Sequence, residues 1–251
     1  MQGLVDRLRA AGCVYAEDEA RLLSSAATGA ALEALVARRV AGERLEDVLG
    51  WAEFCGLRIV VAPRVFVPRP RTEFLVDLAT GLLRPGATLV DLCCGTGALA
   101  AVLAHRVDGL LVHAADLDPA ATRCAALNLP GRPVHTGDLF EALPTTLRGE
   151  VDVLVANVPY VPHEDLGFLP VEAREHEAPL ALDGGSDGLD VLRRMLAGAG
   201  DWLRPTGRLL VEVTPAQVPA ATTAATAAGL AATARTSEEF GATVLLVGRA
   251  T

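Results

Sequence analysis

Apolar segments alternate with helix-forming segments along most of this chain, beginning near residue 87. The apolar segments are short and are predicted as strands at 88–92, 110–115, 133–135, 151–156 and 208–213. The helix-forming segments that separate or follow them lie at 98–105, 119–127, 188–203 and 215–228. Strands separated by helices predict βαβ units, which build a mostly parallel sheet with helices on both faces. The segments 230–235 and 243–248 are predicted to add a final pair of strands, joined antiparallel.

The first part of the chain has a different pattern. Residues 4–50 are rich in Ala, Leu, Glu and Arg, and their apolar side chains recur at helical spacing, as at Leu32, Leu35 and Val36. This pattern predicts a small bundle of three or four short helices.

A hairpin is predicted next, with strands at 57–61 and 65–67 around the turn 62–64. A helix over 72–83, with Thr72 as its N-cap, is predicted to follow a proline-rich connector. We divide the chain into three parts, which are a helical N-terminal domain at 1–55, a hairpin and connector at 56–70, and an α/β domain at 71–251.

Composition and charge narrow the classes of function. The 251 residues carry a formal net charge of −9, and all 22 basic residues are arginine. Binding to phosphate backbones requires clustered positive charge, so we expect no direct contact with nucleic acid. No apolar run approaches the roughly 18 residues that span a bilayer, and the N-terminus lacks a signal-peptide pattern, so we expect a cytoplasmic protein without membrane contact. The five cysteines are scattered, and we expect neither disulfides nor a metal site.

A tight glycine turn follows the first predicted strand of the α/β domain. Asp91 lies in that strand, and Gly95 and Gly97 precede the predicted helix at 98–105. Glycines let the backbone approach a ligand closely, and the helix N-terminus presents free N–H groups. A dinucleotide fingerprint requires a third glycine, but Ala100 occupies that position. The turn therefore suits a cationic or zwitterionic adenosyl ligand better than a pyrophosphate.

Carboxylates follow the next two predicted strands. Asp116 can accept hydrogen bonds from both hydroxyls of a ribose, and a solvated charge is the plainer interpretation. Asp118 is predicted to cap the next helix, with Pro119 in its first turn. Asp138 follows the third strand and can accept from an adenine amino group, with Leu139 as an apolar wall. Taken alone, this last segment is equally compatible with a capped loop.

The fourth strand ends in Asn157, Val158, Pro159 and Tyr160. The asparagine side chain offers an acceptor and a donor, the proline fixes the turn, and the tyrosine ring can lie against a planar group. Together they can hold an amide or amine and direct its lone pair at an electrophile. In an open α/β sheet, the C-terminal ends of the strands around the switch point form the ligand crevice. Polar groups at four consecutive strand ends therefore predict a single site.

With these four groups in order, the chain resembles the class I S-adenosylmethionine-dependent methyltransferases. Further motifs narrow the resemblance to the protein-(glutamine-N5) methyltransferases, which modify the Gly-Gly-Gln loop of peptide-chain release factors. These motifs lie, in order, at 66–73, 91–97, 137–141, 157–160, 172–177 and 181–190. The resemblance covers residues 38–213. It implies a Rossmann-like sheet of seven strands, mostly parallel with the last strand antiparallel, and a small helical N-terminal domain.

The resemblance also assigns roles to residues. S-adenosylmethionine is the implied cofactor, and its implied contacts are Asp91, Cys93, Cys94, Gly95, Thr96, Gly97, Asp116, Asp138, Leu139 and Asn157. The implied catalytic residues are Asn157, Val158, Pro159 and Tyr160, and the implied substrate contacts are Phe66, Pro68, Arg69, Asn157 and Tyr160. In such a site Asn157 and the Val158 carbonyl accept the two amide hydrogens of a glutamine, and Tyr160 packs against it. Positioning then supplies most of the catalysis. The implied partner is a peptide-chain release factor.

Three motifs depart from the family pattern. Val158 stands where the family has a proline, although its backbone carbonyl is kept. Arg71 stands where the family has an acidic residue, which changes the charge near the substrate. Cys93 and Cys94 replace a glycine and a small hydroxyl residue. The N-terminal helical segment is also shorter than is usual in the family.

Several alternatives stay open at this point. The substrate can be a different glutamine-bearing protein or a small amide. A second possibility is an adenine-N6-type nucleic-acid methyltransferase, which uses a similar Asn-Pro-Pro-Tyr segment but normally requires a basic recognition surface. A third is a non-catalytic paralogue that binds an adenosyl ligand, which Val158 and Arg71 permit. A nicotinamide dehydrogenase is rejected because the glycine pattern is wrong.

Overall fold

The computed structural model describes residues 1–250, except for the side chains of 171–173, which include part of the 172–177 motif. Four helices form a bundle at the N-terminus: α1 (Gln2–Ala10), α2 (Ala16–Ala26), α3 (Gly29–Val40) and α4 (Leu45–Leu49). Their apolar faces enclose a core of their own, in which the side chains of Leu8, Leu23 and Val36 are fully buried. The prediction of three or four short helices is confirmed.

The hairpin after the bundle uses a different pair of strands from the predicted pair. β1 (Trp51–Phe54) pairs antiparallel with β2 (Leu57–Val60). The two turn residues, Cys55 and Gly56, have φ angles of 50° and 76°, and a type I′ turn requires positive φ at both positions. Segment 65–67 forms no strand, so the predicted pairing of β2 with it is wrong. The tight Cys-Gly turn reverses the chain earlier and pairs β2 with the residues that precede it.

Seven further strands form the main sheet. They are β3 (Thr88–Leu92), β4 (Leu111–Asp116), β5 (Val134–Thr136), β6 (Val151–Ala156), β7 (Leu203–Val213), β8 (Leu230–Ser237) and β9 (Ala242–Arg249). Their order in the sheet is β5-β4-β3-β6-β7-β9-β8. β9 runs antiparallel to both of its neighbours, and the other neighbouring pairs are parallel. The predicted α/β class and the antiparallel last strand are confirmed.

Helices cover both faces of this sheet. They are α5 (Glu73–Thr80), α6 (Ala98–Arg106), α7 (Pro119–Asn128), the short α8 (Val171–His176), α9 (Asp190–Trp202) and α10 (Val218–Ala227). Successive residues of β3 point to opposite faces, as strand geometry requires. Leu89 packs in the core beneath α5 and α6, and Val90 packs in the core beneath α9 and α10. The domain therefore has three layers, with the sheet buried in the middle.

Several element boundaries differ from the predicted ones. The helix predicted over 72–83 is the shorter α5; Thr72 occupies its N-cap position, but the Thr72 side chain makes no capping hydrogen bond. Instead, the Thr72 hydroxyl donates a hydrogen bond of 2.7 Å to the buried carboxylate of Glu212. β7 begins at Leu203 rather than at 208.

The strand order changes direction beside β3. The chain places β4 on one side of β3 and β6 on the other, which makes this the switch point of the sheet. The C-terminal ends of β3 to β6 meet at one edge there, where open α/β sheets bind ligands. None of the described helices is long and apolar enough to cross a membrane.

Candidate active site

An inner pocket lies at the C-terminal ends of β3 to β6. Eight of the ten predicted cofactor contacts line it, namely Cys93, Cys94, Gly95, Thr96, Asp116, Asp138, Leu139 and Asn157. Phe66, Pro68 and Pro159 also line it. Asp91 and Gly97 do not line this pocket. The four strand ends that the sequence singles out therefore converge on one cavity.

An outer pocket adjoins the inner one. It is lined by the predicted residues Phe66, Arg69, Asn157, Val158 and Tyr160, and also by Arg71. Phe66, Asn157 and Ala181 line both pockets, so the two cavities meet at these residues. Among the predicted substrate contacts, only Pro68 lies on the inner pocket instead. Asn157 thus stands between the inner and the outer pocket.

The glycine turn depends on Gly97 for packing. Gly97 has a φ angle of 73°, and a Cβ atom there would lie 3.0 Å from the Cβ of Ala125 and 3.1 Å from the Cδ1 of Leu129. Both neighbours belong to the end of α7 or directly follow it, so the missing side chain lets α6 start against α7. Gly95, by contrast, faces the pocket, and its N–H donates to Asp116 Oδ2 at 2.8 Å.

Asp91 supports the turn from inside the protein. Its side chain is completely buried, and Oδ2 accepts a hydrogen bond of 3.1 Å from the backbone N–H of Ala100 in α6. Its other oxygen, Oδ1, has no hydrogen-bond partner among the described residues. Burial raises the pKa of Asp91 from 3.8 to about 7, against the lowering effect of the Ala100 N–H. The structure does not bring this residue to the pocket wall.

Asp116 is held by backbone donors on both of its oxygens. Oδ2 accepts from Gly95, and Oδ1 accepts from the N–H of Asp118 at 2.9 Å. Burial raises the pKa of Asp116, and these N–H groups oppose that shift. Asp118 caps α7 as predicted, because its Oδ1 accepts from the N–H of Ala120 at 2.7 Å. The Asp116 carboxylate is therefore fixed in direction at the pocket wall.

Asp138 forms an ion pair that the sequence did not predict. Arg194 in α9 donates to Asp138 Oδ2, and both residues line the inner pocket. Leu139 follows with a φ angle of 46°, an uncommon conformation for a leucine. The Arg194 side chain is 57% exposed, so water screens this pair. Asp138 can still accept from a ligand through its other oxygen.

Asn157 carries the clearest sign of a missing partner. Its Oδ1 is buried, and it accepts no hydrogen bond from any described residue. A buried acceptor without a donor costs about 1–3 kcal/mol, so native proteins rarely leave one unpaired unless a water molecule or a ligand completes it. The Asn157 side chain, which carries this Oδ1 atom, lines both pockets.

The rest of the Asn157 turn is tied to the protein core. Val158 is 2% exposed and packs in the core beneath α9 and α10. The carbonyl of Tyr160 accepts a hydrogen bond of 2.9 Å from Gln217 Nε2. A Cβ atom on Gly188 would lie 2.1 Å from that same carbonyl, so the glycine-rich loop at 183–188 packs directly against the turn. This loop supports the site and is more than a surface turn.

Arg71 fixes the side chain of Tyr160. Its Nη2 donates to the Tyr160 hydroxyl, and its guanidinium carbon lies 5.6 Å from the centre of the ring. Its Nε donates to Glu212 Oε1 at 2.6 Å, while the other oxygen of Glu212 accepts from Thr72. The Glu212 side chain is 4% exposed, so Arg71 is anchored by a buried carboxylate at the end of β7.

Arg69 is anchored by a second buried carboxylate. Its Nη2 donates to Glu177 at 2.7 Å and 2.8 Å, and its guanidinium lies 4.8 Å from the Phe66 ring centre. Glu177 also accepts from Arg44 at 3.1 Å and from the backbone N–H of Val67 at 3.4 Å. Burial raises the pKa of Glu177, and its two arginine partners oppose that shift.

Four residues of this site were not predicted: Glu177, Arg194, Glu212 and Gln217. Each meets its partner across 29 or more residues of sequence. Local pattern carries no signal for such pairs. Only Glu177 lay within a segment, 172–177, that the resemblance had singled out.

Comparison with known proteins places this site in a family. Residues 75–214, more than half of the chain, match the family model described as FtsJ-like methyltransferase. The release factor glutamine methyltransferase of Streptomyces coelicolor is 41% identical over 71% of this chain and 65% of its own length. That of Bradyrhizobium diazoefficiens is 35% identical over 90% of this chain and 85% of its own length.

A relative with a different name is equally similar. The 4-amino-L-phenylalanine/4-methylamino-L-phenylalanine methyltransferase of Streptomyces pristinaespiralis is 40% identical over 70% of this chain and 63% of its own length. The match therefore spans just under two thirds of this relative and of the Streptomyces coelicolor one.

Solved structures agree on the fold. The ribosomal protein L11 methylase from Lactobacillus delbrueckii has a TM-score of 0.56 at 15% identity, over 77% of this chain and 86% of its own. A methyltransferase from Pyrococcus furiosus has a TM-score of 0.53 at 18% identity, over 77% and 88%. The pocket lies at the switch point of the sheet, and the two release factor glutamine methyltransferases are 41% and 35% identical to this chain. The chain therefore belongs to the release factor glutamine methyltransferase family.

Proposed function

We propose that the protein transfers a methyl group from S-adenosylmethionine to the side-chain amide nitrogen of a glutamine in a protein. The proposed substrate is the Gly-Gly-Gln loop of a peptide-chain release factor. The observation that carries the proposal is the position of Asn157, which lies on both pockets with a buried Oδ1 that has no protein donor. The names of the relatives support the same reaction.

The inner pocket fits the cofactor in its donors and acceptors. Asp116 would hold the ribose hydroxyls, and Asp138 with Leu139 would hold the adenine. Gly95 lets the ligand approach the backbone at the start of α6, where a side chain would intrude. When bound, S-adenosylmethionine would supply an electrophilic methyl carbon attached to a sulfonium sulfur, and the carbon–sulfur bond would break as the sulfur leaves as a neutral thioether. Because carboxylates line the pocket, a cationic ligand is favoured there over an anionic one.

The chain's own contribution is to orient the amide. The Asn157 Oδ1 and the Val158 carbonyl accept the two N–H groups of the glutamine amide, and the Tyr160 ring lies against it. Holding both hydrogens on one side points the nitrogen lone pair toward the inner pocket. Well-oriented reactants react far faster than free ones, so positioning supplies most of the rate. The nitrogen loses one of these protons to water as the carbon–nitrogen bond forms.

The test is direct methylation of a release factor. The protein is incubated with a bacterial release factor and methyl-labelled S-adenosylmethionine, and the label is mapped by mass spectrometry. We expect a gain of one methyl group on the Gly-Gly-Gln peptide. The matched control is the same release factor with its loop glutamine replaced by asparagine, which should take no label. Absence of label on the unaltered loop contradicts the proposed substrate.

A small amine is the second candidate substrate. One relative is named for methylating 4-amino-L-phenylalanine. The outer pocket has apolar walls from Phe66, Val158 and Val161, which suit an aromatic amine. Incubation with 4-amino-L-phenylalanine in the same assay separates the two substrates. For a nucleic-acid substrate, binding at low salt that falls steeply as salt rises is the discriminating result.

A further inference from the structure

The outer pocket is lined by two arginines in a protein with a net charge of −9. Arg69 and Arg71 line it, and no carboxylate lines it among the side chains that the structure describes. The remaining walls are apolar apart from Asn157 and the ring of Tyr160. The two guanidinium groups are thus the only formal charges on the described walls of this cavity.

Each guanidinium keeps donors available for a ligand. Arg71 uses Nε on Glu212 and Nη2 on Tyr160, and Nη1 makes no hydrogen bond to any described residue. Arg69 uses only Nη2, on Glu177, so Nε and Nη1 are without an acceptor in the described part of the chain. Their side chains are 43% and 34% exposed, which leaves both reachable from the pocket.

The side chains of both arginines are also fixed in position. Their counter-ions, Glu177 and Glu212, have side chains 0% and 4% exposed, and aromatic rings lie near both guanidinium planes. A fixed guanidinium loses little freedom when it binds a planar acceptor, and its fork matches the two oxygens of a carboxylate. Partial burial reduces the screening of the interaction by water.

We propose that Arg71 and Arg69 form a carboxylate subsite that selects substrates with an acidic group close to the nitrogen that is methylated. The inference rests on the proposed function and narrows its substrate class. Because Arg71 and Asn157 line the same pocket, we place the acidic group in the part of the substrate next to the target side chain. It is either an acidic side chain beside the glutamine of a protein or the α-carboxylate of a free amino acid.

The test compares three peptides that differ at one position. Each contains Gly-Gly-Gln followed by Glu, Gln or Lys, and kcat/KM is measured for each with the unaltered protein. A charge-assisted hydrogen bond predicts about tenfold higher kcat/KM for the Glu peptide than for the Gln peptide, with the Lys peptide lowest. R71Q should abolish most of this preference, and R71K should retain part of it. R84Q is the matched control, because Arg84 lines neither pocket, and it should leave the preference unchanged.

A second arm identifies the source of the carboxylate. 4-Amino-L-phenylalanine is compared with its α-carboxamide, which lacks the negative charge. A preference for the free acid over the amide, without a preference among the peptides, assigns the subsite to an α-carboxylate. The reverse result assigns it to an acidic residue of a protein.

Failure of the carboxylate subsite and failure of the proposed function give different results in these experiments. If the peptides are methylated at equal kcat/KM and the free acid and amide react equally, the subsite is wrong while the proposed function stands. If neither the peptides nor the release factor is methylated, the proposed function is wrong. The charge preference is then measured as binding of the same peptides and amino acids in the presence of S-adenosylhomocysteine, and equal affinities overturn the subsite independently of catalysis.

Discussion

Arg44 in the N-terminal bundle donates a hydrogen bond of 3.1 Å to Glu177, which lies 133 residues further along the chain. The same carboxylate holds Arg69 at the outer pocket. Arg44 also pairs with Asp47 at 2.8 Å, so the charges in this cluster are compensated. The bundle and the substrate side of the α/β domain are therefore joined through one buried carboxylate.

The substitution E177Q should weaken both the fold and the site. It leaves Arg44 and Arg69 without their shared counter-charge, and breaking a buried ion pair costs about 3–5 kcal/mol. We expect urea denaturation to show a loss of this order, and KM to rise more than kcat falls because Arg69 is released. E150Q is the matched control, since Glu150 pairs with Arg204 on the surface. It should change the free energy of unfolding by less than about 1 kcal/mol. Equal losses of unfolding free energy in both variants would contradict the role of Glu177 as the shared counter-ion of Arg44 and Arg69.

The substitution N157A should abolish methyl transfer without abolishing cofactor binding. It removes the acceptor that orients the amide, and a misplaced reactant costs about 100-fold in rate. We expect kcat to fall at least that far, while calorimetry shows cofactor affinity within a few-fold of the unaltered protein. The stability should not fall, because Oδ1 has no donor to lose within the described protein. A variant with normal kcat contradicts the proposed role.

Gly97 and Gly131 offer a matched pair for the glycine turn. Their φ angles are 73° and 72°, so alanine is strained equally at both. Only at Gly97 does the new Cβ meet other atoms, at 3.0 Å from Ala125. We expect G97A to be less stable than G131A by about 1–3 kcal/mol in chemical denaturation, the usual cost of overpacking. Equal stabilities would show that α6 and α7 adjust freely.

The buried Asp91 should make stability depend on pH. Its pKa is about 7 in the folded protein and near 3.8 when unfolded, so the folded state binds more protons between these values. Stability then falls as pH rises from about 4 to 7 and stays level above that range, as far as this residue is concerned. D91N removes the titration, so its stability relative to the unaltered protein should improve over that window. Denaturation of the cofactor-free protein at a series of pH values measures this, and a constant difference would contradict it.

The local sequence pattern correctly predicted those elements whose structure depends mainly on neighbouring residues. The strands 88–92 and 151–156 were predicted to the residue, because each is a short apolar run closed by a turn. It failed at the hairpin, where Cys55 and Gly56 form a tighter turn than the proline-containing segment that was preferred. The insertion of β9 between β7 and β8 was not predicted, because strand order depends on contacts across the whole domain.

For the site, the strand-end residues were predictable and their supports were not. Asn157 and Asp116 stand directly after apolar runs, and such positions converge in a parallel sheet. Glu212 lies in a strand whose sequence is typical of a buried core strand. Its carboxylate nevertheless binds Arg71, which is 141 residues away in the sequence. Only the folded chain reveals that a carboxylate in β7 fixes the position of an arginine that lines the outer pocket.

Asn157 separates two cavities, and this division limits how much of a substrate can enter. A slender side chain can reach across to the inner cavity while the body that carries it rests outside. Under the proposed function, a large protein and a single amino acid would meet the same reacting groups and would differ only in their contacts with the outer pocket. Substitution of outer-pocket residues such as Arg71 can therefore change the substrate, while the residues that orient the reacting nitrogen stay unchanged.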